Sequence, residues 1–473
     1  MAKEQTNATD VSVKNISIRS ATGSFSLVDN FLELSVFENI FRPCMSASLV
    51  LSDSQNIPYK LPIIGEETVD IDIMITGFEG TKDEKVFSIK PPPFHVNSIS
   101  NRDFTKPKAQ IFTLDLISEQ YMSSLHSKVS KSYKNQKISS IVEDIYRTYI
   151  DDGTGFLFVE PTDRNETVII PNLNPFDSIK WLTKRAIQND SASVNYLFFE
   201  TIAGTSFMSL DSLAQVEPIC TFIQKQRVDD PTGVENISVN IFKIDSFTFL
   251  NQFDKSKNIK RGVYSSKLIT HDIVRKKIVQ SEYNGFNEWF GFNHCGMFPT
   301  QSNADIETKS ASVNRTSFGP GNSENAFQIT NEKALGDMTD SKVEFYPKHY
   351  QMYSSNRGDY YDNNVESWKL RRSGHVGVYD GIALLLEISG NSMLRVGHTV
   401  TLELPSPQTT DKDDATDDIN DKFLSGTYMI TAIQHIFSKI KPTEQKVTYN
   451  MKIEVVKDGL EDMVETRESR KED

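Results

Sequence analysis

Three cysteines in 473 residues, Cys44, Cys220 and Cys295, are odd in number and far apart, and they form neither a CxxC nor a zinc-ribbon spacing. That excludes a disulfide framework, and all three read as ordinary thiols. No apolar run approaches the roughly 18 residues that a membrane span requires. The opening Met1-Ala-Lys-Glu-Gln-Thr-Asn lacks the apolar centre of a signal peptide, so the expectation is a chain made and used in cytosol-like water, without membrane insertion. Positive charge is in deficit. Against 64 Asp and Glu stand 51 Lys and Arg, a net charge of −13, which argues against affinity built on gripping phosphates. The acidic balance serves solubility, and a carboxylate-lined wall would also let DNA pass without adhering, because like charges repel and salt screens them only partly.

Local catalytic signatures are missing too. There is no GxSxG, no HExxH and no GxxxxGK[ST], and the eight histidines are scattered. We therefore assign no catalytic, cofactor-binding or metal-ligating residue and expect no enzyme. Adjacent side chains on a strand point to opposite faces, so His294-Cys295 would need distant ligands to share a metal and reads as a loop pair. The run Asp411, Asp413, Asp414, Asp417, Asp418 and Asp421 offers hard oxygens for calcium. It lacks the glycine of an EF-hand loop and places Ala415 in the fifth ligand slot, so it reads as a solvated connection between strands. Two basic clusters stand out in this acidic chain, Lys255, Lys257, Lys260, Arg261 and then Arg275, Lys276, Lys277. They read as exposed turns and strand edges, or as an electrostatic docking patch for an acidic neighbour.

What the chain does have is length for about three domains of ~150 residues and a pattern of short strands. Val11, Val13 and Ile16, Ile18 form two alternating pairs with a one-residue slip between them, the period of a half-buried strand. Phe31–Phe37, Ser46–Leu51, Val69–Ile75, Val86–Lys90 and Gln110–Ile117 follow, a spacing that suggests a sandwich or barrel. Pro91-Pro92-Pro93 cannot donate to a sheet interior and reads as a connector. The period then changes. Ile138, Ile141, Val142, Ile145 and Tyr149 share one helical face, and Asn174-Pro175 announces a second helix with the stripe Phe176, Ile179, Leu182, Ala186, Ile187. A β-hairpin turning at Gly204 comes next, with strands at Ser238–Ile241, Thr248–Phe249 and Val263–Thr270 and a helix-like pattern over Val365–Val378. The last block is the clearest: Ile382–Ile388, Leu394–Leu404, Gly426–Phe437 and Lys446–Val456, where Val400, Leu402, Leu404 and Tyr428, Ile430, Ala432 alternate with polar partners.

The grammar of that block is Gly390-Asn391, Leu394, Val396-Gly397, Val400, Leu404-Pro405, an acidic loop, then Leu424-Ser425-Gly426, Tyr428, Ile430, His435 and Phe437. It resembles the second tube-like barrel of the central baseplate hub proteins of contractile-tailed, T-even-like bacteriophages. Asp53-Ser54-Gln55-Asn56 with Leu61-Pro62-Ile63-Ile64-Gly65-Glu66-Glu67 resembles their first barrel, and Gln136–Tyr149, Tyr196–Leu210 with Ser212-Leu213, and Lys260–Asp272 match in order. The resemblance implies a mainly β fold with α+β insertions: two tail-tube-like antiparallel β-barrel domains plus a smaller helix-containing domain. The expected division is a first barrel over 1–118, an inserted α+β domain over 119–235, and strands for the second barrel and a connector over 236–284. A polar insertion over 285–345, the second barrel over 346–459 and a charged tail over 460–473 complete it.

By the same resemblance the chain is a homotrimer in the virion's tail baseplate, assembled in the host cytoplasm. It would join the tail tube protein to the central spike protein, with baseplate wedge proteins as further neighbours and DNA passing through without specific binding. Two other readings stay open, a carbohydrate-binding host-attachment module using Tyr346, Tyr350, Tyr353, Tyr360 and Tyr361, and a tail-associated lytic enzyme.

Overall fold

The structure, a computed structural model, describes residues 10–75, 87–106, 109–151, 155–189, 193–224, 241–301, 303, 305–309, 330–348, 365–379, 381–406, 420–421, 423–440 and 446–461. The chain divides into two compact units, the first comprising Met1–Gln252, Asn293–Cys295 and Ile382–Lys457, the second Phe253–Phe292, Gly296–Gly381 and Asp458–Asp473.

The first unit carries a 14-stranded sheet whose pairings close on themselves twice. In the larger cycle Gly426–Lys439 pairs with Phe31–Asn39, followed by Ser46–Asp53, Ala109–Ser118, Phe94–Lys106, Thr68–Ile75, Asp10–Ser20 and Val447–Lys457. Val447–Lys457 then pairs with Gly426–Lys439 again, so eight strands, all antiparallel, leave no free side. In the smaller cycle Thr221–Ile223, Thr399–Glu403, Gly426–Lys439, Val447–Lys457, Ile382–Ser389 and Ile244–Asn251 follow one another. A bridge between Lys243, beside the last strand, and Ile223, in the first, closes that ring of six. The two closed sheets share the long hairpin 426–457. Its two strands each change neighbours partway along: Gly426–Lys439 pairs with Thr399–Glu403 through residues 426–429 and with Phe31–Asn39 through 432–438.

Alternation drives both cores. Ser46–Asp53 buries every second residue, placing Ala47, Leu49 and Leu51 inside, and Phe31–Asn39 buries Leu34 and Val36. The slip read from Val11, Val13 and Ile16, Ile18 is a β-bulge between Val13 and Asn15 in the pairing with Thr68–Ile75. Pro91–Pro93 connects the strands Phe87–Ile89 and Phe94–Lys106. Leu394–Leu404 is a strand only over Thr399–Glu403. Ahead of it Arg395 Nη1 donates to the carbonyls of Ser392 and Leu394, and its N–H donates to His398 Nδ1, which coils 392–398 into a turn despite the apolar Leu394 and Val396.

Gly390 starts that turn where backbone and ring meet most closely. Its N–H donates to the Tyr449 carbonyl at 2.9 Å, and a Cβ there would run into the Tyr449 ring, which is buried and stacked on Phe437. Gly390→Ala should therefore cost about 1–3 kcal/mol by overpacking, read as a lower urea midpoint with unchanged m. An unshifted midpoint would show that the ring has room to move.

Between the two strand-rich blocks, the helices Glu119–His126, Ile138–Tyr149 and Pro175–Thr183 and the hairpin Tyr196–Thr201/Gly204–Ser209 form a small α+β body. Its core joins Ile138, Ile141, Val142 and Ile145 to Phe176, Ile179, Leu182, Tyr196, Phe198 and Phe207. Both helices begin and the hairpin turns where the sequence places them.

In the second unit the strands Ser265–Asp272 and Lys277–Asn284 form a hairpin, and Val343–Lys348 lies parallel on the other side of Ser265–Asp272. The helix Val365–Val378 covers one face, Val365 and Leu370 packing on Leu268 and Tyr283. The basic cluster Lys255, Lys257, Lys260 and Arg261 stands on a helix, Lys255–Arg261, rather than on a turn or strand edge. Among the described residues no helix is long and apolar enough to cross a membrane. The expected strand residues 238–240, Tyr350, Tyr353, Tyr360 and Tyr361, residues 310–329 of the 285–345 insertion, Asp411–Asp418 and nearly all of the charged tail lie outside the described residues.

Candidate assembly surface and its buried anchor

The shared hairpin belongs to both closed sheets, so whatever it presents is presented by both. On one face it buries Tyr428, Ile430, Ile433, Phe437, Tyr449, Met451, Ile453 and Val455. Its opposite face carries Gln434, Asn450, Lys452 and Glu454, all half-buried, and neighbouring strands continue that polar surface. Lys452 Nζ sits 2.7 Å from Glu387 Oε1, the Ser246 hydroxyl donates to Glu387 Oε2 at 2.9 Å, and Gln434 Nε2 donates to the Ser35 hydroxyl at 3.2 Å. The Lys452 ammonium, then the Ser246 hydroxyl, hold the Glu387 carboxyl below its ordinary range. Thr431 Oγ1 donates to Glu454 Oε1 at 2.7 Å. This face is concave between the two cycles, a cleft of about 450 Å³ lined by Phe37, Arg42, Leu385, Gln434, Lys452 and Glu454. Lys452 and Glu387 offset each other there, so the face offers water a polar wall with that pair of charges neutralised.

Behind that wall lie two buried carboxylates. Glu38 occupies an inward position of its strand beside Val36, where alternation calls for an apolar residue. Its Oε1 accepts the Ile202 N–H at 2.9 Å and lies 3.8 Å from His435 Nε2, an ion-pair separation rather than a hydrogen bond. Oε2 accepts the Val396 N–H at 3.4 Å. His435 Nδ1 is 2.8 Å from the Tyr449 hydroxyl, which also meets Met451 Sδ at 3.2 Å. Burial pushes the Glu38 carboxyl upward, but His435, the Ile202 amide and the Arg395 charge outweigh it, and Glu38 stays below its ordinary value. Glu200 is the second. Its Oε2 accepts the Met45 N–H at 2.9 Å and Oε1 the Ser118 hydroxyl at 2.8 Å. Burial, reinforced by the Glu38 charge and opposed by those two hydrogen bonds, raises it to about 7.

Both carboxylates tie the same elements together. Glu200 and Ile202 come from the hairpin of the α+β body, whereas Glu38, Met45 and Ser118 come from the eight-strand cycle. The body is thus pinned to the closed sheet by charged hydrogen bonds at a buried seam, an arrangement that fixes register rather than adding much net stability. Neither carboxylate stands out in the sequence, because each sits among strand residues with no motif around it. The one signal is Glu38, at an inward position of its strand; Glu200 stands on Tyr196–Thr201, which is buried along its whole length and offers no alternation to break.

The residues singled out from sequence are placed as follows. Cys44 and Cys220 are half-buried and Cys295 is buried, and burial pushes the Cys44 thiol up to about 12 and the Cys220 thiol to about 11, away from reactivity. His294 is half-buried in a loop. Asp421 Oδ1 accepts the N–H groups of Phe423 and Leu424 and so shapes a turn. Tyr346 packs beside the Val365 and Leu370 cluster with Lys369 Nζ 5.9 Å from its ring centre, a structural placement. Arg275, Lys276 and Lys277 follow the tip of the 265–284 hairpin, apart in sequence from the basic helix.

No protein-family model matches the chain, and no curated protein matches it in sequence. Among solved structures it is similar to the tail protein from Neisseria meningitidis MC58, at 9% identity and TM-score 0.49, over 94% of this chain and 97% of that one. It is similar to the 43 kDa tail protein of prophage MuSo2 from Shewanella oneidensis, at 8% identity and TM-score 0.47, over 94% and 98%. The E. coli c3393 protein, a type VI secretion component with structural similarity to the T4 bacteriophage tail proteins gp27 and gp5, aligns at 10% identity and TM-score 0.35, over 90% and 73%.

Proposed function

We propose that this chain is a structural hub of a phage tail baseplate, three copies of which form a ring joining a sixfold tail tube to a threefold central spike around a DNA channel. The observation that carries the reading is the doubled closed sheet fused along one hairpin. A protomer with two tube-type units, one drawn mainly from 1–118 and one from 346–459 with the hairpin common to both, supplies six such units per three copies. That is the number needed to meet a sixfold tube from a threefold base. The eight-strand cycle also suits a rigid collar, since each of its strands is paired on both sides. The net charge of −13 and the polar face of the hairpin suit a lumen that DNA crosses without binding. No step of this role calls for catalysis. Its neighbours are the tube and spike proteins and the surrounding wedge proteins, and its place is the virion.

The test is the mass and shape of the purified chain, by light scattering and negative-stain imaging, alone and with a candidate spike. A threefold ring with an open channel is expected. A persistent monomer under every condition, or a channel wall lined mainly by Lys and Arg, would sink the reading.

A further inference from the structure

The strands Ser265–Asp272 and Lys277–Asn284 of the second unit are joined by Ile273, Val274, Arg275 and Lys276. All four are exposed, Ile273 and Val274 by 65% each. The turn is nonetheless formed, since Asp272 Oδ1 accepts the N–H groups of Val274 and Arg275, each at 3.0 Å. Its residues are not those a turn in water selects. Two β-branched apolar side chains stand where Gly, Asn or Asp is usual, and Lys276 takes the left-handed conformation at φ 54°, which those same residues adopt with least strain. Residues that disagree with their local structure at an ordered, exposed place mark a surface that is used.

The sheet behind the turn continues the apolar surface. The helix Val365–Val378 covers one face. On the other, the register sets Pro347 and Ile278 on either side of His271, then Phe345 and Gln280 on either side of Ile269, with Ile278 65% and Phe345 74% exposed. Cations stand directly behind the apolar tip: Arg275, Lys276 and Lys277, all exposed. The acidic groups around them are engaged. Asp272 is buried and bonded to the turn's own amides, and Glu366, on the covered face, lies 3.0 Å from Lys348 Nζ. Glu282 and Asp340, toward the other end of the hairpin, both face Lys267, at 3.6 and 2.7 Å. The tip is thus a positive place in a chain whose net charge is −13.

We propose that this hairpin tip seats in the headgroup layer of an anionic lipid bilayer, with Ile273 and Val274 reaching the acyl boundary and Lys276 and Lys277 meeting the lipid phosphates. An apolar end with cations directly behind it reproduces the order of polarity at a bilayer surface. Binding there grows with the apolar area buried and with attraction to anionic lipid. A protein partner would need a cavity shaped to receive a projecting turn, whereas the headgroup layer receives one without being preformed. The acidic remainder of the chain is repelled by the same surface, which confines the contact to the tip. This is a peripheral contact by a turn and not a span, and it is independent of whether the chain forms a ring.

The test floats the full-length protein with vesicles of phosphatidylcholine alone and with vesicles of phosphatidylcholine and phosphatidylglycerol in equal parts. The parent should float with the anionic vesicles only, and less as salt is raised. Ile273→Ser with Val274→Ser should abolish flotation. Lys276→Asn with Lys277→Gln should weaken binding about 25-fold in a lipid titration, about fivefold for each lysine. Lys255→Gln with Lys260→Gln removes the same charge from exposed positions of the helix Lys255–Arg261 and should bind as the parent does. All three variants should melt within about 2 °C of the parent, because every substituted side chain is exposed and asparagine suits the left-handed position. If the serine pair melts early, Val274→Ser alone takes its place. A parent that floats with neither vesicle or equally with both overturns the lipid contact, as do tip variants that float like the parent or a helix variant that loses as much as the lysine pair. A parent that never floats but self-associates in light scattering, and loses this in the serine pair, assigns the tip to a second copy instead.

Discussion

Glu38→Ala should cost about 3–5 kcal/mol of folding stability, read as a lowered urea midpoint, with Glu38→Gln losing roughly half as much. The size follows from what the side chain leaves behind. Without it the N–H groups of Ile202 and Val396 lose their acceptor in a place closed to water, and His435 faces an empty site. Glutamine keeps the volume and one acceptor oxygen, so it retains one of those partners. The pH dependence has a definite sign. Because Glu38 is held below its ordinary value of 4.5, its contribution is fully present above that value and is lost as pH falls through the lower, folded value. The Ala variant should therefore show its largest deficit at neutral pH and converge on the parent in acid. A deficit under about 1 kcal/mol at pH 7 would mean that water reaches the seam and replaces the carboxylate.

Much of this fold is legible in the chain because its drivers are local. The helix Ile138–Tyr149, the Asn174-Pro175 start, the hairpin at Gly204 and the bulge near Val13 each announce themselves within a dozen residues. The helix Lys255–Arg261 was misread as turns and strand edges, although its two ends carry a signal. Asp254 accepts the Lys257 N–H as N-cap, and Gly262 takes the left-handed conformation at the C-terminal end, where φ is 73°. The lysines draw the eye as charge, yet it is the flanking Asp and Gly that set the helix.

What stays hidden is set by distance. Thr221–Ile223 finds Thr399–Glu403, and Phe31–Asn39 finds Gly426–Lys439, across hundreds of residues, and no periodicity encodes such a pairing. The same holds for the two closures and for the shared hairpin, since an alternating strand looks alike whichever neighbour it meets. The buried seam is hidden for a further reason. Glu38 and Glu200 hold backbone amides that any residue but proline at 45, 202 or 396 would supply, so those partners leave no trace in side-chain identity, and Ser118 and His435 are brought to them only by the fold.

The second large effect concerns Glu200, whose titration runs opposite to that of Glu38. Raised from 4.5 to about 7, it binds a proton in the folded chain that the unfolded chain has already released between those values. Its contribution is thus fully present below pH 4.5 and is lost as pH rises through about 7, a swing of about 3 kcal/mol. The observable is the difference in urea stability between the parent and Glu200→Gln, since other titrating groups cancel in it. That difference should slope between pH 4.5 and 7 and be level above, with glutamine gaining relative to the parent as pH rises. The coupling gives a sharper check. Burial is the main cause of the upward shift, and the Glu38 charge adds to it, so Glu38→Gln should move the Glu200 transition toward acid without abolishing it. A level difference profile would show Glu200 ionised throughout the range. A transition unmoved in Glu38→Gln would show that the two carboxylates, though tied to the same hairpin, do not sense each other across the seam.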